Sequence, residues 1–117
     1  MNDILITGGL GHIGHRLCEY LLNNNSKLIC VDNFMTQRYS SLKGLVKNSN
    51  FTFNEIDVAN DPKELARVIK ANNCKTIIHL AAKTNAAASF DNKNELIHNN
   101  LSSTKNIVDI CQTNGIR

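Results

Sequence analysis

The feature that most constrains the fold is a glycine-rich string, TGGLGHIG at residues 7–14, set between an apolar run and an amphipathic segment. The apolar run, residues 3–7, has the length of a buried strand, and residues 12–24 carry apolar side chains at helical spacing. Glycine costs about 1 kcal/mol relative to alanine inside a helix, so glycines that open a helix need another reason. The string predicts a sharp strand-to-helix turn whose backbone is left bare of side chains.

The alternation of short apolar runs and amphipathic segments continues along the chain. Strands are predicted at residues 27–32, 51–57 and 76–80, and helices at residues 41–47, after Asp61, and at residues 93–114. Buried strands without clean alternation, separated by helices, predict a parallel sheet with helices on both faces. We therefore expect one domain, residues 1–117, with an α/β, doubly wound parallel sheet whose chain ends where a fifth strand should begin.

The last two predicted helices carry local signals of their own. Asp61, Pro62 and Glu64 predict an N-cap, a first helical residue and a capping-box acid. The helix over residues 93–114 has an apolar stripe, and we expect part of this stripe to lack the neighbours against which it would pack, because the chain stops where a fifth strand should begin. The stripe consists of Ile97, Leu101, Thr104, Val108 and Cys111.

Composition and charge exclude several classes of function. The net charge is only +3 and the basic residues are spread out, which argues against nucleic acid and anionic membranes as partners. No apolar run approaches the roughly 20 residues of a membrane span, and no secretory signal is visible. The four cysteines and four histidines lack metal-ligand spacing, so we expect no metal site, free thiols and a cytoplasmic location.

The position of the glycines suggests that they contact a ligand, because they lie at the carboxyl end of a predicted parallel strand, where such sheets bind their ligands. Gly8 and Gly9 would permit the sharp turn, and Gly11 would let a pyrophosphate approach the backbone. Gly14 would let the helix and the strand pack closely, while the amide groups of the helix N-terminus face the anion.

An acidic residue at the end of the second predicted strand completes the pattern of a dinucleotide site. Asp32 lies 18 residues beyond Gly14, and its carboxylate could accept both hydroxyls of an adenosine ribose. The carboxylate would repel a 2′-phosphate, which favours NAD over NADP. Arg38 keeps the alternative open, since a nearby arginine could neutralise that phosphate.

Five motifs in order give the chain a specific resemblance. They are TGGLGHIG, VDN at residues 31–33, Asp57-Val58, HLAAK at residues 79–83 and NNLSSTKN at residues 99–106. The chain resembles the N-terminal half of the NAD-dependent epimerase/dehydratase family, the extended short-chain dehydrogenases that act on nucleotide sugars. The resemblance implies a Rossmann-type sheet, truncated after the fourth strand and its following helix. Ser103 and Lys93 depart from the family, which usually has glycine and often proline at these positions.

The resemblance also implies which residues would bind NAD. Those that would line the pyrophosphate are Gly8, Gly11, His12, Ile13 and Gly14. Those that would contact the adenosine are Asp32 and Asn33 at the ribose, and Asp57 and Val58 at the adenine. Those that would lie beside the cofactor's ribose and phosphates, or help to order the pocket, are Leu80, Ala81, Ala82, Lys83 and Asn100.

The catalytic residues of the family have no counterpart in the expected places. The family uses a Ser or Thr after the fifth strand and a Tyr-x-x-x-Lys on the next helix. Tyr39 and Lys43 match these letters, but they follow the second strand, and we interpret the match as coincidence. Lys83 and Ser89 are weaker catalytic candidates, each more commonly a solvated loop residue or a helix cap.

The sequence is compatible with two functions. The first is the NAD-binding portion of a nucleotide-sugar epimerase or dehydratase, similar to the UDP-sugar 4-epimerases, without turnover alone because the catalytic half is missing. Its nucleotide-sugar substrate would bind only if the missing C-terminal region were supplied. The second is a free-standing NAD-binding module that senses the cofactor or completes its fold with a partner chain. In either case we expect self-association through the exposed edge of the fourth strand, residues 76–80.

Overall fold

Four short parallel strands form the centre of the protein. The computed structural model describes residues 3–34, 39–83 and 93–117. Its strands are β1 (Ile4–Thr7), β2 (Leu28–Asp32), β3 (Phe51–Glu55) and β4 (Thr76–His79). They lie in the order β3-β2-β1-β4, and every neighbouring pair is parallel. This order is the first half of the doubly wound arrangement, so the predicted parallel sheet is confirmed.

The predicted helices are also present. They are α1 (His12–Asn23), α2 (Tyr39–Leu45), α3 (Pro62–Ala71) and α4 (Lys93–Asn114). Asp61 caps α3 as expected, its side chain accepting from the Glu64 amide. The capping box itself does not close, because the Glu64 carboxylate pairs with Arg67. No helix in the described part of the chain is long and apolar enough to cross a membrane.

Helices cover both faces of the sheet because successive strand residues point in opposite directions. Leu5 of β1 belongs to a core cluster that includes the inward side chains of α3 and α4. Ile6, the next residue, belongs to a second cluster that includes those of α1 and α2. The two clusters together make the three-layer, Rossmann-type architecture.

The packed face of α4 differs from the prediction. Three side chains of the predicted stripe are 44–66% exposed, namely Ile97, Leu101 and Val108, and Thr104 is exposed as well. The side chains that α4 buries are Ser103, Ile107 and Ile110. The bounds of the helix were correct, but its inward face differs from the predicted stripe, of which Cys111 packs against the core.

Two asparagines explain which face of α4 turns inward. The Asn106 amide group donates to the carbonyls of Val58 (2.8 Å) and Ala59 (3.1 Å). Asn100 accepts from the Lys83 amide and donates to the Lys83 carbonyl. Buried and half-buried backbone groups in the segments after β3 and β4 need such partners, and this orientation of α4 supplies them.

The outer edge of β4 is partly covered. Ile77 donates its amide to the Arg117 carbonyl at 2.7 Å, and the Arg117 amide donates to the Lys75 carbonyl at 3.3 Å. This is the hydrogen-bond pattern of a parallel strand pair, on the side of β4 away from β1. The part of the edge that carries no neighbouring strand among the described residues therefore lies beyond Ile77.

Candidate functional site

A cavity of about 630 Å³ opens at the carboxyl ends of the four strands. It lies between the turn that joins β1 to α1, the ends of β2 and β3, the segment after β4, and α4. Its size falls in the usual range for cofactor sites. The location is where open parallel α/β sheets bind their ligands.

Three of the four glycines in the turn after β1 are required by the protein's own packing. Gly8 has a positive φ of 69°, and a Cβ there would lie 2.8 Å from the Ala81 amide nitrogen. A Cβ at Gly9 would overlap the Cys30 sulfur. A Cβ at Gly14 would overlap the Gly8 carbonyl oxygen and lie 2.7 Å from the Gly9 Cα. The first turn of α1 thus packs on the backbone of the glycine turn itself.

Gly11 is different, because the protein leaves room for a side chain there. Its φ is −72°, and the nearest atom to a Cβ would be the Gly8 oxygen at 3.4 Å, an ordinary contact. Gly11 is the N-cap of α1, with no side-chain cap and no acidic residue in the first turn. A helix start of this kind presents backbone amides to an anion, and Gly11 keeps the approach clear.

Asp32 ends β2 with its carboxylate held in place beside the glycine turn. One carboxylate oxygen accepts from the Leu10 amide at 3.2 Å, and the other accepts from the Phe34 amide at 2.9 Å. The side chain is therefore oriented before any ligand arrives. Each oxygen keeps a lone pair that could accept a ribose hydroxyl.

The adenine side of the predicted pocket is built around Asp57. Its Oδ1 accepts from the amides of Ala59 (3.0 Å) and Asn60 (3.3 Å), and its Oδ2 accepts from the Asn60 side chain at 3.0 Å. The carboxylate thus orders the turn after β3, while Asn106 holds the carbonyls of that turn. The sequence prediction did not assign Asn106 a role, although it ends the NNLSSTKN motif.

The segment after β4 is held by hydrogen bonds from the end of β1 and by an ion pair with α4. The buried Thr7 hydroxyl accepts from the amides of Leu80 and Ala81, both at 3.1 Å. The Lys83 ammonium group lies 2.7 Å from the Glu95 carboxylate, which holds the pKa of Glu95 below its ordinary value. Thr7 was not predicted as a site residue, although it opens the glycine-rich motif at the end of β1.

The structure brings together nearly all of the predicted binding residues. Those that line the cavity are Gly8, Gly11, His12, Ile13, Gly14, Asp32, Asn33, Asp57, Val58, Leu80, Ala81, Ala82 and Lys83. Asn100 lies behind the cavity surface, where it holds the backbone of Lys83. The lining residues that were not predicted are Val31, Ile56, Ala59, Leu96, Asn99 and Ser103.

Helical spacing could have found the missed residues on α4. Leu96 and Ser103 lie four and three residues from Asn100, so all three share one face of the helix. Ser103 is 2% exposed, and its hydroxyl donates to the Asn100 carbonyl at 3.1 Å. The serine is accommodated where the family usually has glycine.

The other candidates lie apart from the cavity or outside the described residues. Tyr39 is 60% exposed and stacks on Phe34 with ring centroids 4.7 Å apart, and neither Tyr39 nor Lys43 lines the cavity. Arg38 and Ser89 lie outside the residues that the structure describes. Within the described ranges, no three His, Cys, Asp or Glu side chains are grouped as metal ligands.

Comparison with known proteins decides the family. The model of the "NAD dependent epimerase/dehydratase family" matches residues 4–117. The chain belongs to this family. The UDP-glucuronate 4-epimerase of Thermodesulfobacterium geofontis is 31% identical over the whole chain, and the chain spans 38% of that enzyme. The predicted family is confirmed.

Solved structures agree with the fold. The UDP-Glc/GlcNAc 4-epimerase of Campylobacter jejuni matches with a TM-score of 0.87 and 26% identity, over 99% of this chain and 35% of that one. The Bordetella bronchiseptica enzyme WbmH, solved in complex with NAD⁺, matches with a TM-score of 0.82 and 27% identity, over 99% of this chain and 37% of that one. The chain therefore spans little more than a third of the length of these three proteins. The predicted cofactor, NAD, is the one that the family's description names.

Proposed function

We propose that the chain binds NAD in the cavity at the strand ends, as the NAD-binding portion of a nucleotide-sugar epimerase or dehydratase. The observation that carries this proposal is Gly11. The protein's packing explains the other three glycines of the turn, whereas the room at Gly11 stays open toward the cavity. A ligand that must approach the backbone gives this glycine a reason.

The proposed arrangement follows the cavity from the glycine turn outward. The pyrophosphate lies at Gly11 and the N-terminus of α1, where amides and the helix dipole favour negative charge. The preoriented Asp32 carboxylate accepts the adenosine ribose hydroxyls. Asp57 and Val58 flank the adenine, and Lys83 supplies positive charge near the phosphates once it leaves Glu95.

Gly11→Ala tests the proposal by separating binding from folding. The added methyl group meets only an ordinary contact, so the urea midpoint should fall only by the modest cost of replacing glycine with alanine at an N-cap. NAD⁺ affinity should fall at least about tenfold, because the methyl group occupies the approach to the backbone.

Gly44→Ala is the matched control, since a Cβ at Gly44 meets no atom within 4 Å and Gly44 does not line the cavity. Calorimetric titration with NAD⁺ gives the affinities. Unchanged affinity in Gly11→Ala would contradict the proposed place of the pyrophosphate.

The enzymatic part of the proposal rests on the family. When bound, NAD would supply a nicotinamide ring that can accept a hydride from a sugar. We propose that this chain holds that cofactor and has no turnover by itself, because the family's Tyr-x-x-x-Lys pair has no counterpart at the cavity. The substrate class, a UDP-sugar or related nucleotide sugar, is inferred from the relatives' names.

Two further properties are proposed from the molecule's surface and thiols. The exposed side chains of Ile97, Leu101 and Val108 lie on one face of α4, and the edge of β4 beyond Ile77 has no neighbouring strand among the described residues. We propose self-association through these features, which would remove apolar surface and an open strand edge from water.

A cytoplasmic location is proposed from the cysteines, all four of which are free thiols.

A further inference from the structure

The imidazole of His79 joins three parts of the fold that are distant in sequence. His79 is the last residue of β4, and its Nδ1 lies 2.6 Å from the Thr7 hydroxyl oxygen at the end of β1. Its Nε2 lies 3.4 Å from the Thr104 hydroxyl oxygen on α4. The Thr7 hydroxyl in turn accepts from Leu80 and Ala81, the two residues that follow His79.

The hydrogen bonds of the Thr7 hydroxyl group indicate which nitrogen of the His79 ring carries the proton. A hydroxyl group has one hydrogen to donate and two lone pairs that accept. The Ala81 amide and the Leu80 amide, which is shared with the Thr7 carbonyl, both donate to the hydroxyl oxygen, so the Thr7 hydrogen is what remains for His79. A ring nitrogen that accepts carries no proton, and the proton of the neutral ring therefore sits on Nε2, facing Thr104.

We infer that His79 is a positioning residue, whose neutral ring with its proton on Nε2 holds Thr7 so that residues 80–82 are fixed against the glycine turn. Its consequence for the cofactor rests on the proposed function, since residues 80–82 line the cavity assigned to NAD. The contact between residues 80–82 and the glycine turn is close. The Gly8 Cα faces the backbone of Ala81 with no space for a side chain between them.

Protonation of the His79 ring at Nδ1 would turn this nitrogen from an acceptor into a donor toward Thr7. A proton on Nδ1 would need the Thr7 oxygen as acceptor, and that oxygen already accepts two amides. The Leu80 amide also donates to the Thr7 carbonyl at 3.1 Å, whereas Thr7 Oγ1 is the acceptor of the Ala81 amide, so loss of the Ala81 bond is the loss that the Thr7 carbonyl would not replace. Loss of that bond would release residues 80–82 from the glycine turn.

The surroundings of His79 favour the neutral ring. β1 carries no titratable side chain, and β4 carries none besides His79. The charged side chains of α4 are Lys93, Glu95, His98, Lys105 and Asp109, of which Glu95 pairs with Lys83 and Lys105 pairs with Asp109. The other titratable groups nearby are the half-buried Cys111 thiol of α4 and Arg117, whose backbone pairs with the outer edge of β4. Burial lowers the pKa of His79 below its ordinary value.

The sign of the pH dependence follows from that direction. An unfolded histidine takes up a proton as the pH falls through about 6.5, while folded His79 still resists protonation. Its contribution to stability is therefore complete above about pH 6.5 and declines below it. NAD⁺ affinity should decline at the lower pH at which folded His79 itself becomes protonated.

Two substitutions separate the acceptor at Nδ1 from the rest of the ring. Asparagine places an acceptor oxygen at the δ position, so His79→Asn should keep NAD⁺ affinity and lose the decline at low pH. His79→Leu offers no acceptor and should lower NAD⁺ affinity about two- to tenfold at pH 7.5, the effect of one hydrogen bond. His98→Leu is the control, because His98 is exposed on α4 and lies outside this network. Equal losses in His79→Asn and His79→Leu would overturn the inference.

Ring-nitrogen NMR tests the same inference on the wild-type chain without cofactor. At pH 7.5 the ¹⁵N shifts of His79, assigned by their disappearance in His79→Asn, should show an unprotonated Nδ1 and a protonated Nε2. A proton on Nδ1, or a doubly protonated ring, would overturn it. If the wild type binds no NAD⁺, the proposed function fails, and these shifts still decide the state of His79.

Discussion

Gly14→Ala is the substitution that most sharply tests how the glycine turn packs. Alanine normally stabilises a helix relative to glycine, by about 0.5–1 kcal/mol. At Gly14 the methyl group would overlap the Gly8 carbonyl and approach the Gly9 Cα to 2.7 Å. Both atoms belong to the backbone, so the first turn of α1 would have to move away from the glycine turn. Overpacking of this kind costs about 1–3 kcal/mol, which exceeds the gain in helix propensity.

Urea unfolding followed by far-ultraviolet circular dichroism measures the effect, since the chain has no tryptophan. With a slope of about 1–3 kcal/mol per molar urea, the midpoint of Gly14→Ala should fall by roughly 0.5–1 M. Gly44→Ala makes the same chemical change in α2, where the methyl group meets nothing within 4 Å, and its midpoint should rise slightly. A Gly14→Ala midpoint equal to that of the wild type would refute the reasoning.

Two other predictions concern assembly and turnover. The chain should self-associate at low micromolar concentration, as measured by light scattering. Leu101→Glu should shift the measured mass toward the monomer, because a charge would then lie on the exposed apolar face of α4. A wild-type chain that is already monomeric would contradict this prediction. The purified chain should show no epimerase or dehydratase activity with UDP-sugars and NAD⁺, and activity that disappears in Tyr39→Phe would show that the Tyr39–Lys43 pair is catalytic after all.

The elements and their order could be predicted because their signals are local. The glycine string, the Asp61-Pro62 start of α3 and the apolar runs each depend on a few neighbouring residues. They fixed the ends of nearly every element to within two residues of the observed ones. The site followed from the order of the strands, because the carboxyl ends of parallel strands meet at one edge of the sheet.

The face of α4 could not be predicted from apolar periodicity. The stripe of Ile97, Leu101 and Val108 has ideal spacing, yet the helix turns Asn100 and Asn106 inward. Those asparagines bind carbonyl and amide groups of other segments of the chain. The family resemblance implied a role for Asn100 at the pocket, but apolar periodicity indicates neither asparagine. The stripe of α4 that faces solvent is therefore apolar surface available for self-association, and Leu101 is its most exposed large side chain.

The contact between Thr7 and His79 was beyond sequence reasoning for a different reason. The two residues are 72 positions apart and meet only because β1 and β4 are neighbours in register. Asp57 shows the same limit, since the family resemblance implied an adenine contact and the structure adds a turn ordered by its carboxylate. Residue types at strand ends can be read in advance, but their hydrogen-bond partners depend on the assembled sheet.

The most direct test of the central claim is a calorimetric titration of the wild-type chain with NAD⁺ and, separately, with NADP⁺. The Asp32 carboxylate is held by the Leu10 and Phe34 amides at the place proposed for the adenosine ribose. It should accept the ribose hydroxyls of NAD⁺ and repel the 2′-phosphate of NADP⁺. The account predicts one NAD⁺ site per chain and an NADP⁺ affinity at least about tenfold weaker, a difference of about 1.4 kcal/mol. No heat of binding with NAD⁺, or equal or tighter binding of NADP⁺, would contradict it.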